Sequence, residues 1–117
     1  SIMSQVDKNI NKSLQVSDSV VAGIVTNAVK DINGVYGIAP MKKTIRQLIL
    51  KEESVGDIKV GLVDDVLSLT VGIIVKDGVN VVSVAEQVQD IVKNSVQSML
   101  GLTVAKVNVT IRGIKYE

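Results

Sequence analysis

The chain has 117 residues, with 13 Lys and Arg against 12 Asp and Glu, which suffices for one domain and leaves almost no net charge to attract nucleic acid or an anionic membrane. It contains no Cys and no His, so disulfides, thiolate nucleophiles, imidazole bases and metal sites built from these side chains are excluded. The core must be aliphatic, because Tyr36 and Tyr116 are the only aromatic residues.

The N-terminal part of the chain is polar, and we interpret residues 1–13 as a tail and residues 14–117 as one domain. A short strand is predicted at the junction, over residues 13–16. No stretch approaches the run of about 18 apolar residues that a membrane-spanning helix needs, so a cytoplasmic protein is expected.

A first helix is predicted to begin at a cap formed by Ser17 or Asp18 and to end at Asn33-Gly34. Apolar residues recur at three- and four-residue spacings, as on one face of an amphipathic helix; they are Val21, Ile24, Val25, Ala28, Val29 and Ile32.

The segment Gly34-Val35-Tyr36-Gly37 predicts a turn between this helix and a second, shorter helix that begins at Pro40. A GxxG loop between two helices is also how KH domains clamp single-stranded nucleic acid, so Gly34, Tyr36 and Gly37 form an alternative nucleic-acid site. The two middle residues are apolar where phosphate contact favours basic or small polar side chains. An ordinary turn is therefore the favoured interpretation.

The short helix, over residues 40–53, carries its charges against the helix dipole. Lys42 and Lys43 occupy its first turn and Glu52 and Glu53 its last, and both placements oppose the dipole. Functional surfaces are expected where such local rules are broken. Lys42, Lys43 and Arg46 therefore form a hypothetical partner-binding surface for an acidic protein or anionic headgroups, while an ordinary solvated charge pattern, or a segment frayed at both ends, is the favoured interpretation.

Two alternating strands flank Asp64-Asp65 and predict an antiparallel hairpin. The apolar positions are Ile58, Val60 and Leu62 in the first strand and Leu67, Leu69, Val71, Ile73 and Val75 in the second. The two acids could also be a metal or acid–base pair, but adjacent residues in a strand connection point apart, which favours a turn.

The last third of the chain predicts a helix followed directly by a strand. Ser83 and Glu86 have capping-box spacing, Val88 and Val92 lie on the apolar stripe, and Gly101 suits the end of the helix. A final strand follows, with an apolar face at Val107, Val109 and Ile111.

These elements predict a two-layer α+β sandwich. A small mixed or antiparallel sheet of three or four strands is covered on one face by two long helices, with one short helix in addition. The other face of the sheet is polar and tolerates water; it carries Lys59, Ser68, Thr70, Lys106, Asn108, Thr110 and Arg112.

The order and spacing of several segments resemble the alkaline shock protein family of Gram-positive bacteria. The match extends from about Leu14 to Ile114, with Asp77 and Val82 as modest departures. The segments are VS at 16–17, VVA at 20–22, INGVYGI at 32–38, KDGV at 76–79, VAEQVQ at 84–89, VK at 92–93, MLGLTV at 99–104, VNV at 107–109 and Gly113.

The resemblance implies a non-enzymatic cytoplasmic protein that supports envelope stress response or lipid-linked homeostasis. It implies self-association, with further partners among membrane-anchored relatives or lipid-metabolism proteins, and hence membrane association through a partner. The chain is most similar to a short subgroup with the insert at 41–53, commonly encoded beside a kinase of the dihydroxyacetone or fatty-acid type. No cofactor, metal, small-molecule substrate or catalytic residue is implied, and nucleic acid is not an expected partner.

Overall fold

The computed structural model describes residues 17–41, 45, 49 and 56–116. Its elements are, in chain order, α1 (Asp18–Val29), β1 (Val35–Ile38), β2 (Ile58–Val63), β3 (Val66–Lys76), α2 (Val81–Leu100) and β4 (Thr103–Lys115). The predicted tail and the strand at 13–16 lie outside the described residues.

The described residues contain two helices, α1 and α2, rather than the three that were predicted. Most of the predicted short helix at 40–53 lies outside the described residues. Within it, Ile45 and Ile49 have helical backbone and exposed side chains.

The first helix begins where its cap was predicted. The Ser17 hydroxyl accepts a hydrogen bond from the Val20 backbone N–H at 3.2 Å, which satisfies one of the N–H groups that a helix start leaves without a partner. Asp18 in the first turn complements the helix dipole. The apolar stripe packs into the core, where Val21, Ala22, Ile24, Val25 and Val29 are buried.

The hairpin of β2 and β3 is confirmed. Asp64 and Asp65 both have positive φ, 51° and 65°, as the tight two-residue turn of a hairpin requires. Pairing runs antiparallel from Ile58 opposite Val71 to Val63 opposite Val66. The predicted apolar face of the second strand is fully buried; Leu67, Leu69, Val71, Ile73 and Val75 are all 0% exposed.

The turn predicted at Gly34-Val35-Tyr36-Gly37 is wrong, because most of this segment is strand β1, paired antiparallel with β3. Only Gly34 turns the chain, with φ +101°. A Cβ there would meet the Val84 side chain at 2.9 Å, so Gly34 also lets the chain pass close to α2. Pairing with β3 outweighs the local preference of two glycines for a turn.

The cap predicted for α2 is also wrong by three residues. Asn80 caps the helix, and its side-chain oxygen accepts from the Ser83 backbone N–H at 3.0 Å. Asn is among the strongest N-cap residues, so Val81 and Val82 join the first turn. The other end is confirmed: Gly101 adopts φ +68°, and its N–H donates to the Gln97 carbonyl.

The sheet is mixed. Strand β4 runs parallel to β3. The two strands are joined by a βαβ crossover, in which α2 carries the chain back to the end of the sheet where β3 begins. Strands β1 and β2 lie end to end along the opposite edge of β3. They meet at Gly72, whose carbonyl accepts from the Ala39 N–H and whose N–H donates to the Asp57 carbonyl.

Both helices lie on one face of the sheet and share one aliphatic core with it. The α+β prediction is therefore confirmed; of the predicted alternatives, a mixed or antiparallel sheet of three or four strands, the structure has the mixed sheet of four. Neither described helix is both long and apolar enough to cross a membrane.

Candidate interaction surface

The face of the sheet that points away from both helices is called the outer face below. Cross-strand pairing aligns its polar side chains in rows, such as Lys59, Thr70 and Asn108. Along β3, the residues of the outer face alternate with core residues that are 0% exposed. The outer face comprises Lys59, Gly61, Val63, Val66, Ser68, Thr70, Gly72, Ile74, Lys76, Lys106, Asn108, Thr110, Arg112 and Lys115.

An ion pair crosses the middle of the outer face. The Arg112 Nε donates to Asp57 Oδ2 at 2.7 Å; the Asp57 side chain is 11% exposed and that of Arg112 is 51% exposed. The carboxylate lies directly over Gly72, where an added Cβ would clash with Asp57 Oδ2. The pair connects the start of β2 to β4 across Gly72 of β3. Both charges therefore have a structural role.

Most cations of the described residues lie on the outer face. Five of the seven described Lys and Arg residues are there, together with two acids, Asp57 and Asp77, the latter at the end of the face; two further acids, Asp64 and Asp65, lie in the hairpin turn at the end of β2. Four acids lie on α1, α2 and the turn after α1, with Lys30 and Lys93 as the only cations there. The outer face is therefore basic although the chain as a whole is nearly neutral.

One end of the outer face forms a cleft of about 540 Å³, called the tyrosine cleft below, lined by Tyr36, Lys76, Asp77, Lys115 and Tyr116. Tyr36 is the additional residue at an irregularity in the pairing of β1 with β3, and such bulges re-aim side chains. The Lys115 ammonium lies 5.5 Å from the centre of the Tyr36 ring, within cation–π range.

Of the two sets of site residues predicted from the sequence, the structure describes only one. Lys42, Lys43 and Arg46 lie outside the described residues. Gly34, Tyr36 and Gly37 are not a loop between two helices, since Tyr36 and Gly37 belong to β1, and the KH-type clamp proposed for them is not formed. The structure instead places Tyr36 in the tyrosine cleft.

Sequence reasoning found the polar residues of the outer face through their alternation, but it missed Asp57 and the tyrosine cleft. Asp57 stands in a segment with no periodic pattern, so its contact with Arg112, 55 positions away, has no local signal. The scarcity of aromatic residues was the one available pointer to Tyr36 and Tyr116.

No cluster of three or more potential metal-ligating side chains forms among the residues that the structure describes. Asp64 and Asp65, considered above as a metal or acid–base pair, form the hairpin turn.

Comparison with known proteins identifies relatives along nearly the whole chain. The model of the alkaline shock protein 23 family, described as having a cell envelope-related function, matches residues 6–116. The uncharacterized protein Spy1614 of Streptococcus pyogenes is 32% identical over 105 residues, which are 87% of this chain and 87% of that protein. The uncharacterized protein YloU of Bacillus subtilis is 28% identical over 105 residues, covering 87% of this chain and 88% of that protein.

Among solved structures, a variant of the MamM CTD has a similar fold. The TM-score is 0.51 at 14% sequence identity, and the match covers 83% of this chain and 98% of that chain. At this identity the likeness concerns the arrangement of helices and strands alone.

Proposed function

Because this chain belongs to the alkaline shock protein 23 family, whose function is related to the cell envelope, we propose that it is a non-enzymatic interaction protein of envelope homeostasis. It acts in the cytoplasm and reaches the membrane through partners, which include further copies of itself and membrane-anchored relatives or lipid-metabolism proteins. The observation that carries this proposal is the basic outer face.

Two properties suit the outer face to recognition. Its backbone is held rigidly by pairing of β3 on both edges, so a partner meets a surface that costs little entropy to order. Cations outnumber acids on it, with Lys59 on β2 and Lys106 on β4 at either side of β3, and this excess favours encounter with an acidic partner. Lys59 and Lys106, both exposed, are the cations that neither the ion pair nor the tyrosine cleft involves.

The test is a charge reversal on each layer. Lys59→Glu with Lys106→Glu reverses the outer face, and Lys30→Glu with Lys93→Glu makes the same change on the helical layer, where both lysines are exposed. Exposed substitutions cost about 0.5 kcal/mol or less, so both variants should fold. We expect only the outer-face variant to lose association with the membrane fraction and to fail in restoring envelope-stress tolerance to cells that lack the protein.

Equal performance of the two variants would contradict the proposal, whether both function or both fail. A third variant, Lys42→Glu with Lys43→Glu and Arg46→Glu, tests the surface predicted from the reversed helix charges. Acids in the first turn of a helix are favourable, so its stability should be unchanged or slightly higher. Loss of partner capture in this variant alone would place the interaction on that segment rather than on the outer face.

A further inference from the structure

The tyrosine cleft has the size and lining of a small-molecule site. Its volume of about 540 Å³ lies within the range of about 300–1,000 Å³ that is usual for ligand pockets. The cleft joins the ends of β3 and β4 to β1, so its residues come from three separate parts of the chain.

The cleft contains every aromatic residue that the chain possesses. Tyr36 and Tyr116 are the only two in the sequence, and they are 56% and 64% exposed while the core is built from aliphatic side chains. Burying a tyrosine ring would stabilise a fold, and two largely exposed rings at one surface leave ring area available for contact with another molecule. Aromatic faces pack well against flat or ring-shaped groups.

Two lysines line the same cleft. Lys76 and Lys115 are direct cross-strand partners, an arrangement in which like charges repel. Neither forms an ion pair with a carboxylate in the part of the chain that the structure describes. An anion between them would relieve the repulsion, and phosphate suits two lysines because its several oxygens accept from both ammonium groups.

The remaining side chain of the cleft limits what can bind. Asp77 is held beside Lys115 by the hydrogen bond from its backbone N–H to the Lys115 carbonyl, 3.1 Å. Its ionised carboxylate only accepts hydrogen bonds, so it suits a hydroxyl or amino group of a ligand and repels a second phosphate. The cleft therefore favours one phosphate attached to a ring that carries hydrogen-bond donors.

We propose that the tyrosine cleft binds a phosphate ester whose organic part is a ring, a sugar or a nucleobase-bearing sugar. The phosphate lies between Lys76 and Lys115, the ring lies against Tyr36 and Tyr116, and Asp77 accepts from the ring's donors. The ligand is either a free metabolite or the headgroup of a lipid. This proposal goes beyond the interaction function and uses different residues, so it survives if the charge reversal at Lys59 and Lys106 has no effect.

The chain provides its own reporter for this site. It has no Trp, so its intrinsic emission comes from the two tyrosines of the cleft. Glucose 6-phosphate and inorganic phosphate are titrated against tyrosine emission, and adenosine monophosphate and adenosine by calorimetry, because adenine absorbs the light that excites tyrosine. We expect saturable binding of at least one of the two ring phosphates, and binding weaker by about tenfold or more for phosphate or ring alone.

Matched double variants assign the binding to the cleft. Lys76→Ala with Lys115→Ala should weaken the binding by about tenfold or more, and Tyr36→Leu should weaken it while leaving Tyr116 as reporter. Lys59→Ala with Lys106→Ala removes two lysines of the same outer face that do not line the cleft and should leave the affinity for the ring phosphates unchanged. Unfolding curves on all variants establish that each is folded.

Vesicles distinguish the two sources of the ligand. Phosphatidylcholine vesicles containing phosphatidylinositol present a ring phosphate, and those containing phosphatidylglycerol present a phosphate without a ring. The ligand is a lipid headgroup if the protein sediments with the phosphatidylinositol vesicles but not with the phosphatidylglycerol vesicles, and if the Lys76 and Lys115 variant does not sediment with either. Response to the soluble esters without vesicle binding identifies a free metabolite.

Four outcomes would overturn the proposal. They are no saturable response to either ring phosphate up to about 10 mM, equal affinity for inorganic phosphate, equal loss in the Lys59 and Lys106 control, and binding of a single-stranded oligonucleotide without binding of the mononucleotide. The last outcome would assign the cleft to nucleic acid instead.

Discussion

Gly72 shows how much of this fold depends on the size of one side chain. It accepts a hydrogen bond from the chain leaving β1 and donates one to the chain entering β2. The Asp57 carboxylate occupies the space over its Cα, so the buried acid can reach Arg112 only because position 72 has no side chain. The residue therefore decides whether strands from three parts of the chain can meet.

Gly72→Ala should destabilise the protein by about 1–3 kcal/mol, the usual cost of forcing an atom into a packed site, because its methyl group would displace Asp57 from Arg112. Gly61→Ala is the matched control on the same face, since a Cβ there meets only the Ser68 carbonyl at 3.8 Å. Urea unfolding should show the control unchanged or slightly stabilised. Equal stability of the two variants would contradict the assigned role of Gly72.

At the scale of one element, α2 combines a buried stripe with two glutamines that reach the sheet edge. The stripe consists of Val84, Val88, Val92 and Val96. The Gln89 side chain donates to the Val107 carbonyl at 3.0 Å, and the Gln97 side chain accepts from the Val104 N–H at 3.1 Å. Both glutamines thus satisfy backbone groups of β4 that no strand pairs, and they protect part of that edge.

The corrected start of α2 can be tested directly. Asn80→Ala removes the hydrogen bond to the Ser83 N–H and should cost about 1 kcal/mol, as is typical of a lost N-cap. Ser83→Ala should cost less than about 0.5 kcal/mol, since Ser83 lies within the helix. Thermal unfolding of both variants measures the two costs. If Ser83→Ala were the less stable variant, Ser83 rather than Asn80 would be the cap.

The buried stripe supports a stronger expectation. Val88 is 0% exposed, so Val88→Asp would bury a charge without a partner and should unfold the domain. A soluble Val88→Asp protein with a native melting temperature would contradict the packing described here.

Two exposed residues on the polar side of α2, Gln89 and Lys93, should differ in their effect on stability when they are replaced. Lys93→Ala should change the free energy of unfolding by less than about 0.5 kcal/mol, whereas Gln89→Ala also loses the bond to β4 and should cost about 0.5–1.5 kcal/mol. Parallel urea titrations test this difference, and equal values would show that the Gln89 bond contributes no stability.

For the whole molecule, the open question is how copies associate. Strand β4 is 13 residues long and pairs with β3 alone among the described strands, while the two glutamines of α2 contact only its first half. Unpaired strand edges are templates for another chain. Edge pairing and charge attraction through the basic outer face are the two routes that this architecture offers.

We expect sedimentation velocity at high micromolar concentration to show species larger than the monomer. If edges pair, the association should persist in about 0.5 M NaCl, since salt screens exposed charges within a few ångströms but not backbone hydrogen bonds. Loss of the larger species in salt would assign association to the outer face instead. A monomer at every concentration and salt would contradict self-association altogether.

The sequence by itself determined the parts of this protein that depend on neighbouring residues. Short stretches of sequence determine the helices and strands, because periods of 2 and 3.6 residues place apolar side chains on one face. Examples are the alternation along β3 and the three- and four-residue spacing of α1 and α2. The Asp64-Asp65 turn is also a local feature. The α+β class and the polar character of the outer face followed from these patterns, and the order of the segments already resembled the family to which the chain belongs.

Only the tertiary structure decided what depends on distant partners. Residues 35–38 became β1 because an edge of β3 was available to pair with them, although their glycines favour a turn locally. The pairing of strands also brings Asp57, just before β2, to Arg112 across Gly72, and places Tyr36, at a bulge in β1, and Tyr116, just after β4, in one cleft. Register sums pairing over the whole sheet, so no short stretch of sequence encodes which side chains it brings together.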